Sequence, residues 1–220
     1  ADRGVVEVSR LRVLITGFGP FPGAPYNPTQ PLVARLTRLR RSAFADVELA
    51  SHIFPVTYRA VDRELPELLA KLRPQALLMF GLASRTAHLR IETRARNAVT
   101  MLWPDAAQTR LRKGSIGLGP DSMAFGPHTA KLLRAARATG IDARPSRDAG
   151  AYLCNYLSWR AIEAACTDDH LRIAAFVHIP LLARDKRLRK GAGRITLEDL
   201  VDAGEAMLME TVRQARQSAR

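Results

Sequence analysis

The chain has 220 residues, 47% hydrophobic and 25% charged, figures that suit a globular domain with a full core and exclude collagen-like, disordered and mucin-like chains. A net charge of +13, with Arg supplying 29 of the 34 positive side chains, raises nucleic acid as a partner. The Arg residues are scattered, however, and aromatics are only 6%, too few for stacking platforms, so any binding of nucleic acid is expected to be non-specific.

No window approaches the ~18 consecutive apolar residues of a membrane span. Residues 1–10 read as an N-terminal extension without the apolar stretch of a signal peptide, and the cytoplasm is the expected compartment. Residues 12–18 are a short apolar run closing on Gly17-Phe18, the mark of a buried strand. Residues 28–41 place Leu32, Val33, Leu36 and Leu39 at helical spacing, with Asn27 positioned as a cap. A strand is predicted over 47–56, an amphipathic helix over 60–72 and a fully buried strand over 76–81. Residues 87–98 alternate, Leu89 and Ile91 against Arg90 and Glu92, which favours strand. Residues 99–123, rich in Gly, Pro, Asp and Ser, read as a long excursion of the kind compact domains keep for function. There follow a helix over 124–139 stopped by Gly140, a strand over 143–146, a helix over 152–165 and a last buried strand over 172–179, stopped by Pro180. Thr196-Leu-Glu-Asp199 opens a terminal helix with a capping-box pattern. Strands alternating with helices, several apolar on both faces, predict a single domain over 11–220: a three-layer α/β/α sandwich around a mostly parallel, mixed sheet. In such folds ligands gather at the carboxyl ends of strands, so a site is expected in the loops after Ile15, Phe80, Ser146 and Val177.

Gly17-Phe-Gly-Pro-Phe-Pro-Gly23 is no dinucleotide fingerprint, because Pro20, Pro22, Pro25 and Pro28 remove N–H groups that a phosphate cradle needs. What remains is a rigid loop presenting Phe18 and Phe21, either as anchors on the core or as an apolar clamp for a small flat ring. Cys154 and Cys166 lie 12 positions apart. On one helix that is about 18 Å, beyond the roughly 7 Å between Cα atoms that a disulfide bridges. Cys154 falls in the first turn of its helix, where free N–H groups and the macrodipole lower a thiol pKa and can hold an oxyanion; a buried structural cysteine is the alternative. His178 ends an apolar strand, as a core histidine or as a catalyst at the strand's carboxyl end. Glu92, between Ile91 and Thr93 in an Arg-dominated segment, reads on its own as a charge on the exposed face of an edge strand. No His/Cys/Asp/Glu cluster has metal-ligand spacing, so no metal is expected.

Four segments in register resemble the pyroglutamyl peptidase I family: Gly17-Phe-Gly-Pro-Phe-Pro-Gly-Ala-Pro-Tyr-Asn-Pro28, the stretch 81–97 with Glu92, Ala149-Gly-Ala-Tyr-Leu-Cys-Asn155 and Phe176-Val-His-Ile-Pro180. The resemblance implies a Cys154–His178–Glu92 triad that removes N-terminal pyroglutamate from peptides without metal or organic cofactor, in a cytoplasmic enzyme that often forms dimers or tetramers. It also implies that Phe18 and Phe21 flank the pyrrolidone ring with Asn27 nearby, and that Leu82 and Leu153 contribute to substrate binding. The chain departs from the family pattern at Gly81-Leu-Ala-Ser-Arg-Thr86, where the family has Gly-Gln-Ala-Gly-Gly-Arg. It also departs at Leu102, where the family has Arg, at Asp148 and at Tyr156. These changes spare the triad but touch the pocket, which leaves a related amidase, or an idle member binding an anionic partner, as rivals. Arg90, Arg94 and Arg96 are candidates to replace the charge lost at Leu102.

Overall fold

The computed structural model describes residues 10–182 and 195–218; the rest of the expected N-terminal extension lies outside them. Six strands form one sheet: β1 (Leu11–Phe18), β2 (Val47–Phe54), β3 (Ala76–Leu82), β4 (Leu89–Glu92), β7 (Ala143–Ser146) and β8 (Ile173–Ile179), in the order β2-β1-β3-β8-β4-β7. The strands β2, β1, β3 and β8 are parallel, whereas β4 runs antiparallel to β8 and carries β7 parallel to itself. The expected mostly parallel, mixed sheet is therefore present. Pro145 is tolerated in β7 because that strand lies at the sheet edge, where one row of backbone donors is not needed. A two-stranded antiparallel ribbon, β5 (Arg94–Arg96) and β6 (Ser122–Ala124), stands apart from the sheet.

Period-two alternation in the buried strands sorts their side chains into two cores. Val13, Ile15, Leu78, Phe80, Ala175 and Val177 face α1 (Thr29–Thr37), α3 (His128–Ala138) and α5 (Leu197–Gln217), while Leu14, Leu77, Met79, Ala174 and Phe176 face α2 (Tyr58–Leu72) and α4 (Leu153–Thr167). Each fully buried Leu, Ile or Phe side chain contributes about 1.5–3 kcal/mol, and that burial on both faces holds the three layers together. The outer side of α4 is covered in turn by the ribbon, through Ala95 packed with Trp159 and Ile162.

Several expected boundaries move for local reasons. The helix expected over 28–41 stops at Thr37, whose hydroxyl donates to the Val33 carbonyl one turn back. Asn27 is not its N-cap: Pro28 holds that position, and the Asn27 side-chain Oδ1 accepts from the Thr29 N–H and hydroxyl instead. The helix expected from 124 begins at His128, because residues 122–124 pair as β6 and Gly126 turns the chain at φ +128°. Gly140, at φ +89°, ends α3 as expected. The capping box at Thr196 is present, with Asp199 as the reciprocal acid. The excursion after β5 has no helix or strand before β6. It is pinned by Asp105, which accepts from the Tyr58, Ala107 and Thr109 N–H groups, and by Asn97, which accepts from Ile116 and Gly117.

Candidate active site

The parity of β8 places His178 on the same face as Ala174 and Phe176, toward α4. In β4, Leu89 and Ile91 belong to the opposite core, which turns Arg90 and Glu92 toward α4 as well. Register does the rest, since Arg90 lies directly across from His178. His178 Nδ1 sits 2.7 Å from Glu92 Oε1, and the same oxygen accepts from Arg90 Nε at 3.2 Å and from its terminal nitrogen at 2.9 Å. Glu92 is 0% and His178 4% exposed. The reading of Glu92 as a charge on an exposed edge is therefore corrected: β4 is an interior strand and the carboxylate is enclosed. Burial pushes the Glu92 carboxyl up, but the His178 hydrogen bond and charge, the Ser146 hydroxyl and the Arg90 guanidinium hold it below the ordinary carboxylate value. Nδ1 is thus committed to Glu92, and Nε2, on the far side of the ring, has no hydrogen bond among the described residues.

On β3, the register partner of His178 is Gly81. A Cβ at Gly81 would lie 2.6 Å from Cys154 Sγ and 2.7 Å from Phe176 Cζ, so the missing side chain is what admits the thiol onto the sheet beside the imidazole. Cys154 is in the first turn of α4, as expected. The loop entering that helix is tied from below: Arg94 Nε donates to the Arg147 carbonyl at 2.8 Å, Arg90 to the Asp148 carbonyl and Arg96 to the Gly150 carbonyl at 3.4 Å. Gly150 turns the loop at φ +85°. Asn155 then clamps the helix start to β5 and the chain beyond it, accepting from the Arg96 N–H and donating to the Arg96 and Ala98 carbonyls at 2.8–2.9 Å. Tyr152, at the N-cap of α4, supplies no side-chain cap, unlike Thr57 on α2 and Thr196 on α5. The first-turn N–H groups beside the sulfur are left for an anion.

Two influences on the thiol oppose each other. Helix position alone predicts a lowered pKa, whereas burial, with the Glu92 charge adding to it and Arg90 opposing, pushes Cys154 up to about 12. Cys166 is exposed near the other end of α4, and both cysteines are free.

The remaining candidates are placed unevenly. Phe18 is 3% exposed with its ring packed on Phe54, an anchor in the core, while Phe21 is only half-buried against the same cluster that Cys154 borders. Asn27 is buried and its amide is spent within the loop, donating to the Gly19 carbonyl as well as serving Thr29. Leu82 lines a cleft of about 740 Å³ that His178 also lines. Leu153 buries its side chain in the core. Leu102 is 76% exposed. Of the three arginines weighed as its replacement, Arg90 lies in the site, paired to Glu92, and Arg94 and Arg96 secure the loop before Cys154. Among the described residues no group of His, Cys, Asp and Glu could hold a metal ion. Gly81, Arg90 and Asn155 gain site roles that sequence order does not reveal; only the alternation Leu89–Arg90–Ile91–Glu92 hinted that Arg90 and Glu92 share a face.

Comparison with known proteins gives the family and the fold. The model of the pyroglutamyl peptidase family matches residues 11–214. The pyrrolidone-carboxylate peptidase of Thermococcus onnurineus is 28% identical over 204 residues, 92% of this chain and 100% of the relative. That of Pyrococcus furiosus is 26% identical, covering 84% of this chain and 88% of the relative. The solved pyrrolidone carboxyl peptidase of Thermococcus litoralis shares the fold, with a TM-score of 0.83 at 23% identity, covering 94% of this chain and 96% of that one. With the family's sequence pattern running from the first strand almost to the end of the last helix, the chain belongs to the pyroglutamyl peptidase family of cysteine peptidases.

Proposed function

We propose that the protein removes N-terminal pyroglutamate from peptides through a Cys154–His178–Glu92 triad. The observation that carries the reading is the buried Glu92–His178 pair standing beside a thiol that sits against Gly81, at the uncapped start of α4. With burial pushing the thiol up, attack begins with transfer of the thiol proton to His178 Nε2 as Sγ bonds the pyroglutamyl carbonyl carbon. Glu92 fixes the ring with Nδ1–H toward itself and stabilises the imidazolium that forms. The carbonyl oxygen, now an oxyanion, faces the open N–H groups of the first turn. Collapse breaks the C–N bond, His178 gives its proton to the leaving amine, and water brought in through the same imidazole hydrolyses the thioester to free pyroglutamate and thiol. A pyroglutamyl ring carries no charge and suits the apolar ground between Phe21 and Cys154. A reducing compartment such as the cytoplasm suits two free cysteines, one of them a nucleophile.

The test is hydrolysis of a pyroglutamyl anilide under reducing conditions. Wild type and Cys166→Ala turn it over, and Cys154→Ala and His178→Ala fall by at least about a thousandfold in kcat. Equal loss in both cysteine variants, or activity surviving Cys154→Ala, sinks the reading.

A further inference from the structure

The cleft that His178 lines opens on the β4–β7 side of the sheet, away from the Phe18–Phe21 loop, which follows β1. Sheet order puts β1, then Gly81 with the thiol, then His178, then this cleft in sequence across the molecule. A substrate whose acyl ring lies toward β1 must send its leaving amine past His178, the proton donor, and into the cleft. The cleft walls are basic: among the described residues Arg85, Arg90, Arg144 and Arg147 line it, with Asp148 the one acid. Arg90 is spent on Glu92 and Arg144 on Asp142, but Arg85 and Arg147 are exposed and make no ion pair among the described residues. The Asp148 carboxylate is offset by Arg96 at 3.2 Å and by the Gly150 N–H at 2.9 Å. His88 is also on the wall.

We infer that this cleft receives the leaving peptide and selects for a carboxylate on the first residue after the scissile bond. The inference rests on the peptidase reading above. The carboxylate has two possible sources, an acidic side chain or the free C-terminus of a pyroglutamyl dipeptide, and one substrate set separates them: pGlu-Glu-NH2, pGlu-Ala-NH2, pGlu-Lys-NH2 and pGlu-Ala-OH, assayed beside the neutral anilide. We expect kcat/KM for pGlu-Glu-NH2, pGlu-Ala-OH or both to exceed that for pGlu-Ala-NH2 by about tenfold, with pGlu-Lys-NH2 below it. The arm that gains names the source. The spread should shrink to about twofold in ~0.5 M salt, where exposed charges are screened, and Arg85→Glu combined with Arg147→Glu should reverse the Glu–Lys order. If that double variant does not fold, the salt series on wild type alone decides. Equal kcat/KM for the Glu, Ala and Lys amides and the Ala acid, with the anilide still cleaved, overturns this inference and leaves the peptidase reading standing. No cleavage of any pyroglutamyl amide overturns both.

Discussion

Glu92 keeps a negative charge at 0% exposure because the His178 ring and the Arg90 guanidinium converge on its Oε1. A buried carboxylate without such partners would take up a proton. Glu92→Gln removes the anion but preserves the shape, and it should lower kcat by about 10²–10⁴-fold while KM moves little, as expected for a group that supports an imidazolium formed during reaction. Since the Glu92 carboxyl is held below its ordinary value, its contribution to stability is complete above the unfolded value and is lost as pH falls through the folded one. Cys154 works in the opposite direction. Its pKa rises from 9.0 to about 12, so the unfolded chain loses that proton first and stability falls as pH climbs through this window, by at most about 1.4 kcal/mol per unit. Urea denaturation at pH 8 and pH 10.5 should show Cys154→Ser losing less stability than wild type over that interval; parallel losses would contradict the burial of the thiol. Gly81→Ala tests the seat of the sulfur. A methyl 2.6 Å from Sγ and 2.7 Å from Phe176 must displace one of them, and we expect at least a hundredfold loss of kcat/KM, measured on the anilide with folding checked by circular dichroism.

Among the elements, α4 carries the nucleophile and owes its position to contacts made outside the helix. Asn155 alone ties its first turn to the chain over 96–98 by three hydrogen bonds. Asn155→Ala leaves the Arg96 N–H and two carbonyls without their partner, a cost of about 2–4 kcal/mol, seen as a lower urea midpoint together with reduced kcat. A change in stability with kcat untouched would show that the helix start is held by packing alone. The element scale also marks what the sequence discloses. The strands over 12–18, 76–81 and 172–179 and the final capping box are local patterns, and they stand within a residue or two of where the pattern puts them. The parity of Leu89 and Ile91 against Arg90 and Glu92 was legible too, but its meaning was not. That Glu92 is buried follows from β4 lying between β8, antiparallel to it, and β7, parallel to it, long-range pairings that no local window contains. The raised thiol is illegible for the same reason: helix position is local, whereas the burial that outweighs it is assembled from β3, β4 and β8. The short ribbon strand β6, three residues among glycines and prolines, has too little pattern to stand out from a loop.

Across the whole molecule, the two cores divide the labour: one face of the sheet carries the thiol, imidazole and carboxylate, and the other, with α1, α3 and α5, braces it. The net charge of +13 is a property of the same scale. It should retain the protein on heparin or RNA at low salt through released counterions, with only weak, sequence-indifferent binding left at ~0.15 M, measured by fluorescence anisotropy with two unrelated RNAs. Micromolar binding to one of them alone would give the Arg-rich surface a recognition role. No helix among the described residues is long and apolar enough to cross a membrane. The most direct test of the account is to catch the intermediate: mix the enzyme with excess pyroglutamyl anilide, quench in acid within the first turnovers, digest, and locate the acyl group by mass spectrometry. The expected result is a pyroglutamyl thioester on Cys154, absent from Cys166 and from a Cys154→Ser sample. Turnover of the anilide with no acyl group on Cys154 at any quench time, and undiminished by Cys154→Ser, would contradict it.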